Sequence, residues 1–323
     1  MTRQPDGGRR QERSGRRSDR GSIAPVARAN RSIGLIGLGA MGTPVATRLL
    51  LAGNSVVGFD VEADRLVTFE RAGGTRAASV AEVVRTASMM ITLLPSSSAL
   101  AEVCDAVARA AEARDAPSEP DLVDLSTLGV QTKLAARDVL SGAGVDMLDG
   151  ALSGTATQVA GGDLVVYVSG ESSVVDRCEP TLRELGRRVH RLGDFGQATR
   201  TKLVANHLVA IHVAAAAEAL LLARRSGLDL DATLEALIDG AGTSRMLEVR
   251  GPAMATGAFE PASMRLELFL KDLDLIDSLG RDAGSPMSLF STAAGLYRGA
   301  SASSRGRLDT ASVFAWLEEV AQR

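Results

Sequence analysis

A glycine pattern near the start of the chain has the spacing of a phosphate-binding turn. Residues 37–42 read G-x-G-x-x-G, close an apolar run that begins at residue 32, and precede a helical pattern that continues to about residue 52. The first glycine permits a tight turn, the second lets backbone approach a pyrophosphate, and the third lets helix and strand pack closely. The helix N-terminus then stabilises the phosphate charge. The predicted dinucleotide contacts are Gly37, Leu38, Gly39, Ala40, Met41 and Gly42; the alternative is a glycine-rich turn that binds no ligand.

An acidic residue supports the dinucleotide interpretation. Asp60 ends a second predicted strand and follows Gly42 by 18 residues. A carboxylate at this place accepts hydrogen bonds from the adenosine ribose and repels a 2′-phosphate. Because Val61 and Glu62 bring no cation, the sequence favours NAD over NADP, while Arg65 leaves NADP open.

The elements that position these residues alternate between strand and helix. Apolar runs predict strands at residues 32–38, 55–60, 89–94, 122–125, 145–148, 163–170 and 189–192. Helical stretches between them imply a parallel sheet covered on both faces, so the fold class is α/β with a doubly wound Rossmann sheet.

The second half of the chain is helical throughout. Helices are predicted at residues 197–226, 230–240, 265–283, 286–298 and 309–321, with Gly227 as the stop of the first. We therefore predict a cofactor-binding domain at residues 32–194 and an all-α domain at residues 195–323. The active site should lie in the cleft between them, at the carboxyl ends of the strands.

Composition narrows the class of protein. The chain has 323 residues, 45% of them hydrophobic, and a net charge of −3, which indicates a soluble globular protein and gives no sign of a nucleic-acid or membrane partner. Residues 1–31 hold nine Arg and three acidic residues, a net of +6, and are predicted to be a disordered basic tail. An arm that docks on nucleic acid or on a partner protein is the alternative for this segment.

The cysteines, one apolar stretch and the histidines argue against a disulfide-rich protein, a membrane span and a metal site. Two cysteines, Cys104 and Cys178, make no disulfide framework, which favours the cytoplasm. The apolar stretch at residues 208–223 is interrupted by His212 and Glu218, as in a buried helix rather than a membrane span. The histidines have no metal-binding spacing, so no metal site is predicted, and His207 is interpreted as a helix-packing residue.

Six ordered blocks of sequence carry a family resemblance. They are residues 34–60 with the glycine pattern, DLSTL at 124–128, DGALSGTATQVAGGDL at 149–164, GDFGQATRTKLVANHL at 193–208, AEAL at 217–220 and LKDLDL at 270–275. Over residues 32–321 the chain resembles the β-hydroxyacid dehydrogenases, which include 3-hydroxyisobutyrate dehydrogenase and the tartronate and succinic semialdehyde reductases. The resemblance implies an NAD(P)-dependent oxidoreductase that interconverts a small β-hydroxyacid and its semialdehyde or keto acid by hydride transfer.

The resemblance places the catalytic lysine of the family at Lys202, with Asn206 four residues later. Residues i and i+4 share one face of a helix, so both side chains can enter one cleft. A free lysine, with a pKa of about 10.4, is protonated at neutral pH. Burial and a helix N-terminus both lower the pKa toward the range for general acid–base catalysis. The alternative is a surface lysine near a helix start.

The resemblance also implies a carboxylate-binding site and a closing lysine. Ser126, Ser153, Gly154 and Thr155 are expected to bind the substrate carboxylate, and Lys271 to close over the cofactor or active site. Leu94 and Pro95, at the end of the 89–94 strand, complete the predicted cofactor contacts. Departures from the family pattern leave the substrate open: Ala151, Thr155, Gln158, Ala198 and Ala205.

The sequence leaves two other functions open. An imine reductase on the same fold is disfavoured by Lys202 and Asp60, because those enzymes usually lack the lysine and prefer NADP. A non-catalytic nucleotide-binding docking protein is favoured only by the basic tail. Ala- and Leu-rich surfaces of the helical domain predict a homodimer or homotetramer.

Overall fold

The computed structural model describes residues 31–113 and 121–322 of the chain. Within them, eight strands form one sheet in the order β3-β2-β1-β4-β5-β6-β7-β8. The predicted basic tail lies outside the described residues except for Arg31. The strands are β1 (Ser32–Ile36), β2 (Ser55–Phe59), β3 (Thr75–Arg76), β4 (Met89–Thr92), β5 (Asp121–Asp124), β6 (Met147–Ser153), β7 (Leu164–Ser169) and β8 (Gly186–Arg191).

Helices cover both faces of this sheet. Alternate residues of β1 enter different apolar clusters: Ile33 and Leu35 belong to one, and Ile36 to the other. Side chains of a strand alternate between faces, so each cluster is the core on one side. The covering helices are α1 (Gly42–Leu51), α2 (Ala63–Arg71), α3 (Val80–Thr86), α4 (Ser97–Glu112), α5 (Val130–Gly142), α6 (Ala156–Ala160) and α7 (Ser172–Leu185). The predicted Rossmann-type α/β fold is confirmed.

One pair of strands departs from the parallel arrangement of the predicted sheet. Strands β1 to β6 are parallel, but β6 and β7 pair antiparallel, with Ser153 opposite Val165. Ten residues, including the short α6, separate the two strands. A parallel return needs a crossover of about a dozen residues or more, so this connection turns the chain back instead.

The helical half is built around one long helix. Helix α8 (Gln197–Arg225) ends before Gly227, whose φ of 77° stops it as predicted. The remaining helices are α9 (Leu230–Asp239), α10 (Arg245–Thr256), α11 (Leu266–Asp282), α12 (Ser288–Ala300) and α13 (Val313–Val320), with a π-helical turn at Ser301–Arg305 and a 3-10 turn at Thr310–Ser312. Helix α10, which contains Gly251 and Pro252, was not predicted. The predicted helix at 309–321 begins with the 3-10 turn and continues as α13.

Helix α8 has the length and mean hydropathy of a membrane span. Helices α10, α11, α12 and α13 pack against it, and Val213, Ala217 and Leu220 are fully buried between them. This packing agrees with the predicted buried helix. The start of α8 also contacts β6 and β7, so the helix joins the sheet to the helical half.

Candidate active site

The glycine turn between β1 and α1 combines close packing with an open space. Gly37 has a φ of 96°, and a Cβ on Gly42 would lie 1.9 Å from the Gly37 carbonyl oxygen. No side chain fits at either position. A Cβ on Gly39, by contrast, would meet nothing closer than Arg65 Nη1 at 3.8 Å. The second glycine therefore faces free space, which fits the approach of a pyrophosphate.

The Asp60 carboxylate is held at the end of β2 beside this turn. Its Oδ2 accepts a hydrogen bond of 2.7 Å from the Leu38 backbone N–H, and its Oδ1 accepts one of 2.9 Å from that of Glu62. Arg65 Nη1 lies 3.3 Å from both carboxylate oxygens. The ribose of a bound dinucleotide can therefore hydrogen-bond to a fixed carboxylate here. The half-exposed guanidinium of Arg65 lies beside the same carboxylate.

The ends of β4 and β5 are joined through Ser126. The Ser126 hydroxyl donates to Asp124 Oδ1 at 2.6 Å and accepts from the Leu94 backbone N–H at 2.8 Å. Ser126 is 3% exposed, whereas Pro95 is exposed. The expected free hydroxyl donor is thus already bonded to Asp124, and Ser126 holds two strand ends together.

Lys202 lies in the second turn of α8 and is buried. Burial lowers the pKa of its ammonium, although the Asp272 carboxylate opposes the shift. Asn206 is buried one turn later and donates from Nδ2 to Asp272 Oδ2 at 2.8 Å. A lysine with a lowered pKa and an amide therefore share one face of α8, as predicted from their spacing.

Asp272 is the site residue that sequence reasoning missed. It lies on α11 and is buried, and burial raises the pKa of its carboxyl against the opposing charges of Lys271 and Lys202. The LKDLDL block contained the signal, but an aspartate beside Lys271 looked like a solvated ion pair. Only the packing of α11 on α8 brings its carboxylate to Asn206.

Lys271 bridges the two halves of the chain. Its ammonium donates to the backbone carbonyl oxygen of Thr127, which follows Ser126, and lies 3.5 Å from Asp272 Oδ1. The side chain is 44% exposed. Lys271 thus connects helix α11 to the loop after β5.

The predicted carboxylate-binding turn lies between β6 and α6. Ser153 is the last residue of β6, and Gly154 has a φ of 144°. The Thr155 backbone N–H donates to Gln158 Oε1 at 2.9 Å, in a capping box at the start of α6. The Thr155 N–H is therefore bonded to Gln158 rather than free for a ligand. Helix α6 packs on α1, which places the turn beside the helix that opens at the glycine pattern.

His207, next to Asn206, packs rather than lines a metal site. Its ring stacks on Phe290 at a centroid distance of 5.4 Å and an interplanar angle of 18°. Across residues 31–113 and 121–322, no group of three or more His, Cys, Asp or Glu residues is arranged to hold a metal ion.

Comparisons with known proteins agree with this arrangement. Residues 32–193 match the model for the NAD binding domain of 6-phosphogluconate dehydrogenase, and residues 196–317 match that described as NAD-binding of NADP-dependent 3-hydroxyisobutyrate dehydrogenase. The chain is 33% identical to the L-threonate dehydrogenase of Cupriavidus necator, over 88% of this chain and 95% of that protein.

Two solved structures share the fold over nearly their whole length. A 3-hydroxyisobutyrate dehydrogenase from Salmonella typhimurium superposes with a TM-score of 0.78 at 28% identity, covering 88% of this chain and 99% of that one. The 3-hydroxyisobutyrate dehydrogenase of Mycobacterium tuberculosis, solved with L-serine, gives 0.80 at 27% identity, covering 90% and 99%. With the glycine turn and the buried lysine in place, the chain belongs to the β-hydroxyacid dehydrogenase family and is an NAD(P)-dependent oxidoreductase of small hydroxyacids.

Proposed function

We propose that Lys202 moves the proton of the reaction. In the oxidative direction the neutral amine takes the proton of the substrate hydroxyl, and in the reductive direction the ammonium returns it to the carbonyl oxygen. The observation that carries this role is a buried lysine whose pKa is lowered by that burial. The nicotinamide cofactor, when bound, supplies the hydride acceptor or donor.

Asn206 orients the same substrate group. Its Nδ2 donates one N–H to Asp272, and the second N–H can donate to the oxygen of the reacting hydroxyl, whose own proton goes to Lys202. Asp272 is a positioning residue in this scheme, because it holds the amide and its charge favours the Lys202 ammonium. The pair on α8 thus provides the proton acceptor and a donor that holds the substrate oxygen.

The turn Gly37–Gly42 and Asp60 are proposed to hold the cofactor, with Leu94, Pro95 and Lys271 at its nicotinamide end. Asp60 favours NAD because its carboxylate repels a 2′-phosphate. Arg65 limits that preference, since its guanidinium lies beside the same carboxylate. We expect NAD to be used better than NADP, with NADP still bound.

The substrate is proposed to be a small hydroxy carboxylate bound by Ser126, Ser153, Gly154 and Thr155. Among these, the Thr155 N–H is released to a ligand only if Gln158 gives up its bond to it. L-Threonate, the substrate named for the relative of Cupriavidus necator, is therefore the first compound to test, because it adds hydroxyl groups that Thr155 and Gln158 can bind.

The proposed domains are residues 32–194 for the cofactor and residues 195–323 for a helical domain that forms a cytoplasmic homodimer or homotetramer. An apolar face of α8 supports the assembly. Val204, Leu208 and Leu222 lie on one side of this helix and are 56%, 48% and 69% exposed. A second copy would remove this surface from water.

The test measures NADH and NADPH turnover with a panel of small semialdehydes and β-keto acids, and NAD reduction with L-threonate. Wild type is compared with Lys202→Met, which keeps the length of the buried chain and removes the amine. We expect turnover with one hydroxyacid pair and a roughly 10²–10⁴-fold loss in the variant. NADH affinity should be unchanged. Full activity of the variant would overturn the role of Lys202.

A further inference from the structure

Lysine is rare in this chain. Lys133, Lys202 and Lys271 are its three lysines, and arginine supplies the rest of the 36 basic residues. Two of the three lie at the site described above. The third, Lys133, lies in the first turn of α5 and is fully buried.

We propose that Lys133 is a positioning residue of the active site. It fixes the strand end that carries Ser126 and the helix start that carries Lys202 in one rigid frame. The inference rests on the proposed role of Lys202 and assigns a task to a residue outside the predicted site.

One side of the frame runs through Asp124. The Lys133 ammonium forms an ion pair of 3.0 Å with Asp124 Oδ2 and donates to the Asp124 carbonyl oxygen at 3.2 Å. The other carboxylate oxygen, Oδ1, accepts hydrogen bonds from Ser126 Oγ at 2.6 Å and from Thr92 Oγ1 at 2.7 Å. The position of Ser126 therefore depends on a carboxylate whose free oxygen is held by Lys133.

The other side runs through Asp149 to α8. Lys133 Nζ lies 3.0 Å from Asp149 Oδ1 and 2.9 Å from the Gly150 carbonyl oxygen. Asp149 Oδ2 accepts from the Thr199 backbone N–H at 2.9 Å, and Oδ1 accepts from the Thr199 hydroxyl. Thr199 is the third residue of α8, and Lys202 follows one turn later.

Helix α8 needs this cap because its own N-cap has no side chain. Gly196 precedes the helix with a φ of 95°. The first N–H groups of a helix have no partner within it. Here Ser169 Oγ accepts the Ala198 N–H at 2.9 Å, and Asp149 accepts the Thr199 N–H. Two strands of the sheet thus cap the helix that carries Lys202.

The charges of the cluster explain why a lysine stands there. Asp124, Asp149 and Lys133 are all fully buried. Burial alone would lower the pKa of Lys133, but the two carboxylates outweigh it and raise the pKa, so the side chain stays cationic. The compact ammonium donates its three N–H groups to Asp149 Oδ1 and to the Asp124 and Gly150 carbonyl oxygens, and it pairs by charge with Asp124 Oδ2. A planar guanidinium has a different donor geometry. Asp124 and Asp149 lie opposite each other on β5 and β6, so without the cation their carboxylates would repel each other.

A buried ion pair is weak evidence for a contribution to stability, because apolar side chains often replace it without loss. The test therefore removes Lys133 together with one of its two carboxylates, so that the summed charge of the three positions stays at −1. In Lys133→Met/Asp124→Asn, Asp149 keeps its bonds to α8, and the amide oxygen of the new side chain can still accept from Ser126. The matched control is Arg250→Met/Asp309→Asn, a buried ion pair of 2.9 Å in the helical half.

We expect kcat of the Lys133 double variant to fall about tenfold or more, since a misplacement of about 1 Å can cost about 10²-fold. The dissociation constant of NADH, measured by fluorescence, should stay close to that of the control double variant. The melting temperature should be lower than that of the control, because Asp149 stays buried without its cation. The control should keep the kcat of wild type. A folded Lys133 double variant with the kcat of wild type would overturn the proposal.

A second variant tests the same proposal if the Lys133 double variant does not fold. Thr199→Val removes only the hydroxyl bond to Asp149 and keeps the shape of the side chain. We expect a lower kcat with unchanged NADH affinity, and an unchanged kcat would count against the frame. The two proposals fail separately: an active Lys202→Met variant contradicts the proton-transfer role, whereas normal turnover in the Lys133 and Thr199 variants contradicts the frame alone.

Discussion

Two buried lysines in this molecule have opposite electrostatic environments. Lys133 has two carboxylates and two carbonyl oxygens within 3.2 Å, and its pKa is raised. Lys202 is nearly as buried, but it has one carboxylate near it, that of Asp272, and its pKa is lowered. Burial is common to both, so the number of acceptors decides the charge. A lysine with a raised pKa stays a cation and can hold neighbouring elements in place, whereas one with a lowered pKa gives up its proton more readily.

The two lysines are also mechanically connected. Asp149 joins Lys133 to Thr199, and Thr199 precedes Lys202 by one turn of α8. The rigid cation therefore lies behind the start of the helix whose next turn carries the proton-transferring group. A site built on a helix fixed at its first turn is more precise than one on a free loop.

The largest expected effect is a difference in stability between two single variants, one at each lysine. Lys133→Met leaves two buried carboxylates without their cation, and we expect it to lower the free energy of unfolding by about 3–5 kcal/mol. Lys202→Met removes a charge that folding disfavours, so it should leave that free energy unchanged or raise it at neutral pH. Urea denaturation at pH 7 measures both. Equal losses in the two variants would mean that the lysines are held alike.

The sign of the second expectation follows from the pKa of Lys202. In the folded chain this pKa lies below the unfolded value of 10.5, so folding releases a proton between the two. The penalty is complete below the folded pKa and disappears as the pH passes 10.5. The advantage of Lys202→Met should therefore shrink as the pH rises through this interval.

A smaller effect is expected on the pH dependence of turnover. In the oxidative direction, kcat/KM should rise with pH as Lys202 loses its proton. Asp272 raises the pKa of Lys202, so Asp272→Asn should move this rise to lower pH. An unmoved profile would show that Asp272 is already protonated, as the raised pKa of its carboxyl allows.

The smallest expected effect concerns the cap of α8. Ser169→Ala removes the acceptor of the Ala198 N–H and a donor to Asp149, and should cost about 1 kcal/mol of unfolding free energy. Because both bonds from Thr199 to Asp149 remain in this variant, kcat should fall less than in Thr199→Val. A larger loss of kcat in Ser169→Ala would place the anchor of α8 at β7 rather than at β6.

Local sequence patterns predicted most of the strands and helices. Apolar runs predicted seven of the eight strands in the described residues, and the long helix of good helix formers was predicted within one residue of its end. The missed β3 has two residues, both exposed, so it leaves no apolar signal. Helix α10 was missed because Gly251 and Pro252 interrupt its pattern.

The residues of the candidate site also fall into two groups: those that the sequence indicated and those that only the structure showed. The glycine spacing, Asp60 and the pair Lys202 and Asn206 are visible in sequence because each depends on neighbours along one element. Asp272 and Lys133 are not, because their partners lie 66 and 16 residues away in the chain. Nor did the sequence indicate that Ser126 and the Thr155 N–H are already bonded, to Asp124 and to Gln158.

The sequence by itself determined the fold class, the glycine turn and the placement of Lys202 and Asn206 on one helical face, because residue spacing sets these local geometries. The tertiary structure alone decided the charge state of each buried lysine, the antiparallel return at β7 and the capping of α8 from the sheet. Those features depend on which acceptors meet one atom in space and on how much water is excluded around it. Neither quantity is a property of any single segment of the chain.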